Sequence, residues 1–362
     1  MSPDSTASTS PAVDPLASRL PVTVITGFLG SGKTTLLRRL LRHPGMDRAA
    51  VIINEFGEAG IDHELIAASS EQMTLLGNGC LCCTLRTDLQ ETLRDLFARR
   101  RAGEVIDFDR VFVETTGLAD PVPVLHTLRT DGLLGAQYRL DGVVTVVDAV
   151  NGMDQLDAMP EAAKQAAVAD RLVVSKTDLA DRETVDRLQQ RLAALNPFAL
   201  CVTAIDGDLD PGLLENIAPR AVTARGHELN RWLDPAASET SFFGRNARSA
   251  ANLSVSAHDA AIHSFCLWFD KAFSWETLNA ALAALSQLRG PDLLRVKGIV
   301  HVEGERGPVV VQGAQHLFHP PVVLQSAPDA EPRSRILFIV RNIARESIEK
   351  LFAAVEALGV TR

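Results

Sequence analysis

The sequence predicts an α/β protein: an open, doubly wound and mostly parallel sheet, followed by a smaller α+β domain. Two observations carry that expectation. Up to about residue 220, short and almost purely apolar runs alternate with longer amphipathic segments, and runs without period-2 alternation suit strands covered on both faces. Beyond residue 257, apolar runs follow one another with only two helical patterns among them, as in a sheet with helices on one face. A length of 362 residues agrees with two domains rather than one.

In chain order, residues 1–19 are rich in Ser, Thr, Pro and Ala and lack the apolar stretch of a signal peptide, so a disordered tail is expected. The expected strands are Val22–Thr26, Ala50–Ile53, Val111–Val113, Val143–Val147, Leu172–Val174 and Phe198–Val202. Thr34–Arg42 is a helix striped with leucines at 36, 37, 40 and 41. A second helix, Asp88–Arg101, opens on the capping box Thr87-x-x-Gln90, and Glu183–Leu195 stops before Asn196-Pro197. These elements assign 20–220 to the first domain. Residues 221–257 dissolve into Gly, Ser, Asn, Ala and isolated charges and read as a linker. In the second domain, 258–362, strands are expected at Ile262–Phe269, Leu293–Glu303, Val309–Gln312 and Ile336–Arg341, with helices from Trp275 to about Leu288 and over Glu346–Ala357.

Composition excludes several classes of function. A hydrophobic content of 46% with 22% charged residues is ordinary for a chain that buries a core. The net charge of -9 gives no drive for counterion release from nucleic acid, nor for adhesion to anionic membranes. No apolar stretch reaches the roughly 18 residues of a membrane helix, so a cytoplasmic protein is expected.

The strongest motif is Gly27-Phe-Leu-Gly30-Ser31-Gly32-Lys33-Thr34, which fits G-x-x-x-x-G-K-[ST] between a strand and a helix. Such a loop turns its N–H groups inward on phosphates, and the helix start adds a positive dipole end. Lys33 would neutralise the β and γ phosphates, the Thr34 hydroxyl would ligate Mg²⁺, and Thr35 closes the loop. A second element is Val111-Phe-Val-Glu114-Thr-Thr-Gly117. A carboxylate at the end of an apolar strand can reach Mg²⁺, and Gly117 lets a backbone N–H approach the γ-phosphate. The third is Ser175-Lys176-Thr-Asp178, where Asp178 would accept from guanine N1–H and N2–H₂. Ser175 stands where guanine-reading proteins carry Asn, so a tie between base pocket and phosphate loop is expected to be shortened or lost. Together these predict GTP as the nucleotide and a hydrolase.

Of the five cysteines, Cys80, Cys82 and Cys83 fall within Gly77-Asn-Gly-Cys-Leu-Cys-Cys83. Adjacent Cys82 and Cys83 are awkward to bridge, and a chain of this size needs no disulfide staple. A tight loop holding three thiolates before a helix start suits one borderline cation, with the fourth position open. Zinc fits best and cobalt next. A redox pair, or three free thiols, are the alternatives.

With these residues assembled, the chain resembles the CobW branch of the metallochaperone GTPases, relatives of UreG and HypB. The resemblance rests on Gly27–Leu37, Asn54-Glu-Phe-Gly-Glu58 with Ile61-Asp62, Gly77–Cys83, Glu114–Pro121 and Ser175–Asp178, and on Leu294-Arg-Val-Lys-Gly298 with Val310-Val-Gln312. It implies a P-loop GTPase domain in which GTP and Mg²⁺ organise Cys80, Cys82 and Cys83 into a Zn²⁺ or Co²⁺ site, and hydrolysis releases the metal to a client metalloprotein. Asn54–Asp62 would be the first switch, with Glu55 or Glu58 as a carboxylate ligand. A homodimer stays open. The histidine-rich stretch of many relatives is missing, and His263, His301, His316 and His319 read as satisfied or surface residues rather than ligands. Two rival readings remain: a nucleotide-switched metal sensor without delivery, and a P-loop small-molecule kinase, against which the absence of an Arg-rich lid segment counts.

Overall fold

The computed structural model describes residues 19–53, 73–75, 81–84, 89–215, 217, 262–319, 321–324 and 333–359. Residues 1–18 of the expected tail, the expected linker 221–257 and the switch candidate Asn54–Asp62 with Glu58 lie outside them, as does Cys80.

The first sheet has eight strands. In chain order they are β1 (Leu20–Thr26), β2 (Ala49–Ile53), β3 (Met73–Leu75), β4 (Leu81–Thr84), β5 (Arg110–Glu114), β6 (Tyr138–Asp148), β7 (Arg171–Ser175) and β8 (Leu200–Ala204). Their spatial order is β3-β4-β2-β5-β1-β6-β7-β8, parallel throughout except for β3 against β4. Val22, Val24, Val111, Val113, Val143 and Val173 are fully buried, because helices cover both faces. Helices α1 (Lys33–Leu40), α2 (Leu89–Ala102), α3 (Val122–Thr130), α4 (Gly132–Gln137), α5 (Gly152–Ala158), α6 (Pro160–Val168) and α7 (Arg182–Leu195) fill the connections. Leu36, Leu37 and Leu40 of α1 pack with Ile25, Phe112 and Val146, while Leu89, Leu93 and Leu96 of α2 join Val122, Leu125 and Leu128 of α3 in another cluster.

The doubly wound sheet therefore forms as expected, with differences that have physical causes. The Cys82–Cys83 pair does not sit in a tight loop: both belong to β4, in register with Val51 and Ile52 of β2. Four residues bounded by glycine-rich sequence are too short to show strand periodicity. Gln90 donates its amide to Asp131, while Thr87, its expected partner in a capping box, lies outside the described residues. The last strand begins at Leu200 rather than Phe198, because Asn196 and Pro197 hold that stretch in a turn.

The second sheet is antiparallel, built from β9 (Ile262–Phe269), β10 (Arg295–Val300), β11 (Val309–Ala314), β12 (Leu317–Phe318), β13 (Val322–Val323) and β14 (Ser334–Arg341). Its order is β12-β11-β10-β14-β9, with β13 on β11. Helices α8 (Trp275–Arg289) and α9 (Arg345–Gly359) follow β9 and β14. Leu278, Leu282, Leu285 and Phe352 pack on Val296, Val300, Val311 and Phe338. Ser274 caps α8 by accepting from the Thr277 N–H at 3.1 Å.

The two sheets share apolar packing: Leu294, Ala314, Leu317 and Ile339 belong to the cluster that contains Leu134, Tyr138 and Val168. A buried ion cluster lies across the same junction. Asp170, just before β7, pairs with Arg295 and with Lys297 at 3.1 Å, and accepts the Val143 N–H at 3.0 Å. Burial opposes charge on Asp170, but Arg295 and Lys297 outweigh it and hold the carboxyl down to about 2. Among the described residues no helix is long and apolar enough to cross a membrane.

Candidate functional site

Parallel sheets place ligand sites at the carboxyl ends of their strands, where the chain order reverses. Here that point is β1, between β5 and β6. The sequence-predicted residues converge on it: Gly27–Gly32 follow β1, Glu114 ends β5, Ser175 ends β7, and Ala204 ends β8 in register with Ser175. Glu114 pairs with Ile25, and the Thr115 hydroxyl donates to that of Thr26 at 2.8 Å, fixing the two strand ends.

The loop after β1 depends on its glycines. Gly27 and Gly32 have φ of 143° and 94°, a region closed to most side chains. A Cβ at Gly27 would also lie 2.2 Å from the Val146 carbonyl oxygen. The Lys33 ammonium folds back over the loop, donating to the carbonyls of Gly27 at 2.9 Å and Phe28 at 3.1 Å. Burial lowers its pKa and Glu114 partly restores it. The Thr34 hydroxyl donates to Glu114 Oε1 at 2.7 Å, so two hard oxygens meet beside the lysine. Ser31 Oγ is buried and has no hydrogen-bond partner. An orphaned hydroxyl in an N–H-rich loop suits a phosphate oxygen, and the Thr34–Glu114 pair suits Mg²⁺. The residues present thus fit a magnesium nucleotide.

Gly117 is pressed against the loop: an added Cβ would sit 2.7 Å from the backbone N and Cα of Leu29. Its carbonyl and that of Ala119 both accept from the Gln165 amide, at 3.2 and 2.9 Å, and Lys164 pairs with Asp120 at 2.6 Å. Helix α6 therefore holds the 117–120 segment from behind. Sequence reasoning missed Lys164 and Gln165, which lie in a plain alanine-rich helix with no motif.

At the other end of the site the tie expected to be shortened or lost is present in its shortened form. Ser175 is buried, and its hydroxyl donates to the Ser31 carbonyl at 2.6 Å. The tie between β7 and the phosphate loop survives in a short side chain, because β7 runs close enough that Gly32 has the Ser175 oxygen 3.7 Å from where its Cβ would be. Lys176, at φ 56°, donates to Asp148 Oδ2 at 2.8 Å. Burial opposes ionisation of Asp148, yet bonds from Lys176, Asn151 and the Val150 N–H hold its pKa below the usual carboxylate value. Asp148 was legible by the logic applied to Glu114, a carboxylate closing an apolar strand, and was overlooked. Asp178 is exposed beyond β7, available to a ligand. Thr35 belongs to α1, where its carbonyl would lie 2.8 Å from a Cβ on Gly207.

The cysteine strand belongs to the same sheet. Thr84, next to Cys83, is in register with Ile53, and Ile53 with Glu114. Two strand spacings, about 10 Å, separate the Cys83 end of β4 from the carboxylate strand.

Residues 21–203 match the nucleotide-binding domain of CobW/HypB/UreG, and residues 262–356 match the cobalamin synthesis protein cobW C-terminal domain. The chain belongs to the CobW/HypB/UreG family. It is 33% identical over 334 residues to the zinc chaperone YjiA of Escherichia coli, covering 92% of this chain and 98% of that one. The crystal structure of zinc-bound YjiA GTPase from E. coli superposes with a TM-score of 0.70 at 31% identity, over 93% of this chain and 99% of that one. The zinc-regulated GTPase metalloprotein activator 1 of Schizosaccharomyces pombe is 36% identical over 199 residues, 53% of this chain and 47% of that one. This CobW/HypB/UreG chain thus spans about half of the yeast relative and nearly all of YjiA.

Proposed function

We propose that this GTPase of the CobW/HypB/UreG family is a metallochaperone that binds zinc at Cys80, Cys82 and Cys83 and surrenders it to a client metalloprotein when GTP is hydrolysed. The observation that carries the reading is the shared sheet: the strand bearing Cys82 and Cys83 is in register, through β2, with the strand that ends in Glu114. Relatives named as zinc chaperones and zinc-regulated GTPases support the metal and the nucleotide.

In this reading Gly27, Gly30, Ser31, Gly32, Lys33, Thr34 and Thr35 hold the triphosphate, and Thr34 and Glu114 supply oxygens to Mg²⁺. Magnesium would screen charge on the β and γ phosphates. Lys33 adds a mobile positive charge, released from the Gly27 and Phe28 carbonyls. Gly117, braced by Gln165, presents backbone to the γ-phosphate. Ser175, Lys176 and Asp178 form the base end, with Asp178 choosing guanine. Cobalt is the second candidate cargo, since a thiolate site does not select its metal by affinity alone.

The test loads the protein with Zn²⁺ and GTP and follows zinc release to a fluorescent chelator, beside a sample holding a non-hydrolysable analogue. Release that keeps pace with hydrolysis, and stalls with the analogue, supports delivery. Equal release in both samples would remove hydrolysis-driven delivery and leave at most a static metal site.

A further inference from the structure

Two helices that flank the two candidate sites are fastened to one carboxylate. Helix α2 starts at Leu89, six residues after Cys83, and α3 starts at Val122, five after Gly117. Asp131 directly follows α3 and is buried, 8% exposed. One of its oxygens accepts the N–H groups of Leu133 at 2.9 Å and Leu134 at 3.1 Å, capping α4. The other accepts from the Gln90 amide and the Arg94 guanidinium, in the first two turns of α2. These contacts span 41 and 37 residues of sequence, so they are tertiary links and not part of the cap.

The far end of α3 is tied to the nucleotide side. Asp120 Oδ1 accepts the Val122 N–H at 3.1 Å to begin the helix, and its other oxygen is held by Lys164. Gly117, against Leu29, lies three residues earlier. Between the two ends, α2 and α3 bury Leu89, Leu93, Leu125 and Leu128 in one cluster. Close-packed interiors transmit displacement rather than absorb it.

We infer that Asp131 is the positioning residue through which the state of the nucleotide reaches the cysteine motif. A shift of the Gly117–Asp120 segment carries α3 with it, and Asp131 passes the movement to the first turns of α2, which the chain joins to Cys83. The inference rests on the proposed metal-binding function, and adds to it a route separate from Asn54–Asp62.

The test measures Co²⁺ affinity anaerobically, by thiolate–cobalt absorption, with Mg²⁺ and a GTP analogue and again with GDP. The double variant Gln90→Met/Arg94→Met removes the tertiary links and leaves the α4 cap on Asp131 intact. Asp131→Asn keeps the acceptor oxygen and removes the charge, and it carries the test if the double variant does not fold. Arg99→Met, on the same helix beside Asp95 and Glu104, is the control. The wild-type ratio of affinities is expected at about 5- to 150-fold, the usual span of such couplings. It should collapse towards unity in the double variant, fall partway in Asp131→Asn, and hold in Arg99→Met, with the nucleotide affinity of the metal-free protein unchanged in all. A wild-type ratio retained in both Asp131-linked variants overturns the inference. Loss in Arg99→Met as well would make the effect general to α2 and overturn it too. A wild type with no nucleotide dependence would instead overturn the gating on which the inference depends.

Discussion

Ser175→Ala removes a single oxygen, and the structure says what that oxygen does. The hydroxyl is buried, donates to the Ser31 carbonyl at 2.6 Å, and lies 3.4 Å from the Val147 carbonyl. Without it the Ser31 carbonyl loses a donor in a place water does not readily fill. Leaving such a group unsatisfied costs about 1–3 kcal/mol. Where that cost falls on the arrangement that accepts nucleotide, affinity drops by about 5- to 150-fold. The bond joins the glycine loop to the strand that ends in the proposed base-reading residues, features that both nucleotides would use. GDP and a GTP analogue should therefore weaken by the same factor. Titration with fluorescent derivatives of each nucleotide, alongside thermal unfolding of the free protein, makes the measurement. Affinities that stay within about twofold of wild type, while thermal stability falls, would refute the reasoning and leave the bond a fold contact only.

Three further outcomes are expected. Gly117→Ala drives a Cβ into the Leu29 backbone at 2.7 Å, so steady-state GTP hydrolysis should fall at least about tenfold while GDP binding persists; normal turnover would remove Gly117 from the reacting region. Asp178→Asn should erode the preference for GTP over ATP in a competition assay, since an acceptor facing guanine N1–H and N2–H₂ is lost; a wild type that hydrolyses ATP equally well would contradict the base assignment. Burial first, then Arg295 and Arg129, push the His319 imidazole from 6.5 down to about 3, against the pull of Asp170. Between those values the unfolded chain binds the extra proton, so stability is highest above pH 6.5 and falls as pH drops, by up to ~1.4 kcal/mol per unit. His319→Gln should flatten that limb in denaturant titrations, and an unchanged limb would refute the assignment.

Much of this architecture was legible because the sequence states it locally. The run Val22–Thr26, the glycine loop and the leucine stripe of α1 are consecutive, and each fixes its own backbone. The second domain was readable for the same reason: Ile262–Phe269 emerged with its limits unchanged. Elements that escaped were short or rich in alanine. Helices α5 and α6 have seven and nine residues and meet at Met159-Pro160, too little for a helical period to register. Strand β6 runs to eleven residues, and its first half, Tyr138–Gly142, mixes polar and apolar groups. Contacts between distant positions were out of reach altogether. Ser175 and Ser31 stand 144 residues apart, and nothing in either segment shows that β7 passes close enough for a serine to do the work expected of asparagine. Asp131 reads locally as a helix cap, which it is, and its bonds to Gln90 and Arg94 follow only from how α2 packs. The candidate ligand-binding groups were legible in the sequence, whereas the groups that hold them in place belong to the tertiary structure.

The central claim is that nucleotide and metal are read by one coupled site, and metal affinity in the two nucleotide states tests it most directly. Zinc or cobalt dissociation constants should be measured on the full chain, anaerobically, with Mg²⁺ and a non-hydrolysable GTP analogue and then with GDP. Binding is expected to be tighter in the GTP state by about 5- to 150-fold, with bound metal tightening the GTP analogue by the same factor, as reciprocity requires. The thiolate–cobalt absorption should also be lost when Cys80, Cys82 and Cys83 become serine. Equal metal affinity in the two states would contradict the claim, leaving the cysteines at most a static site beside an unrelated GTPase.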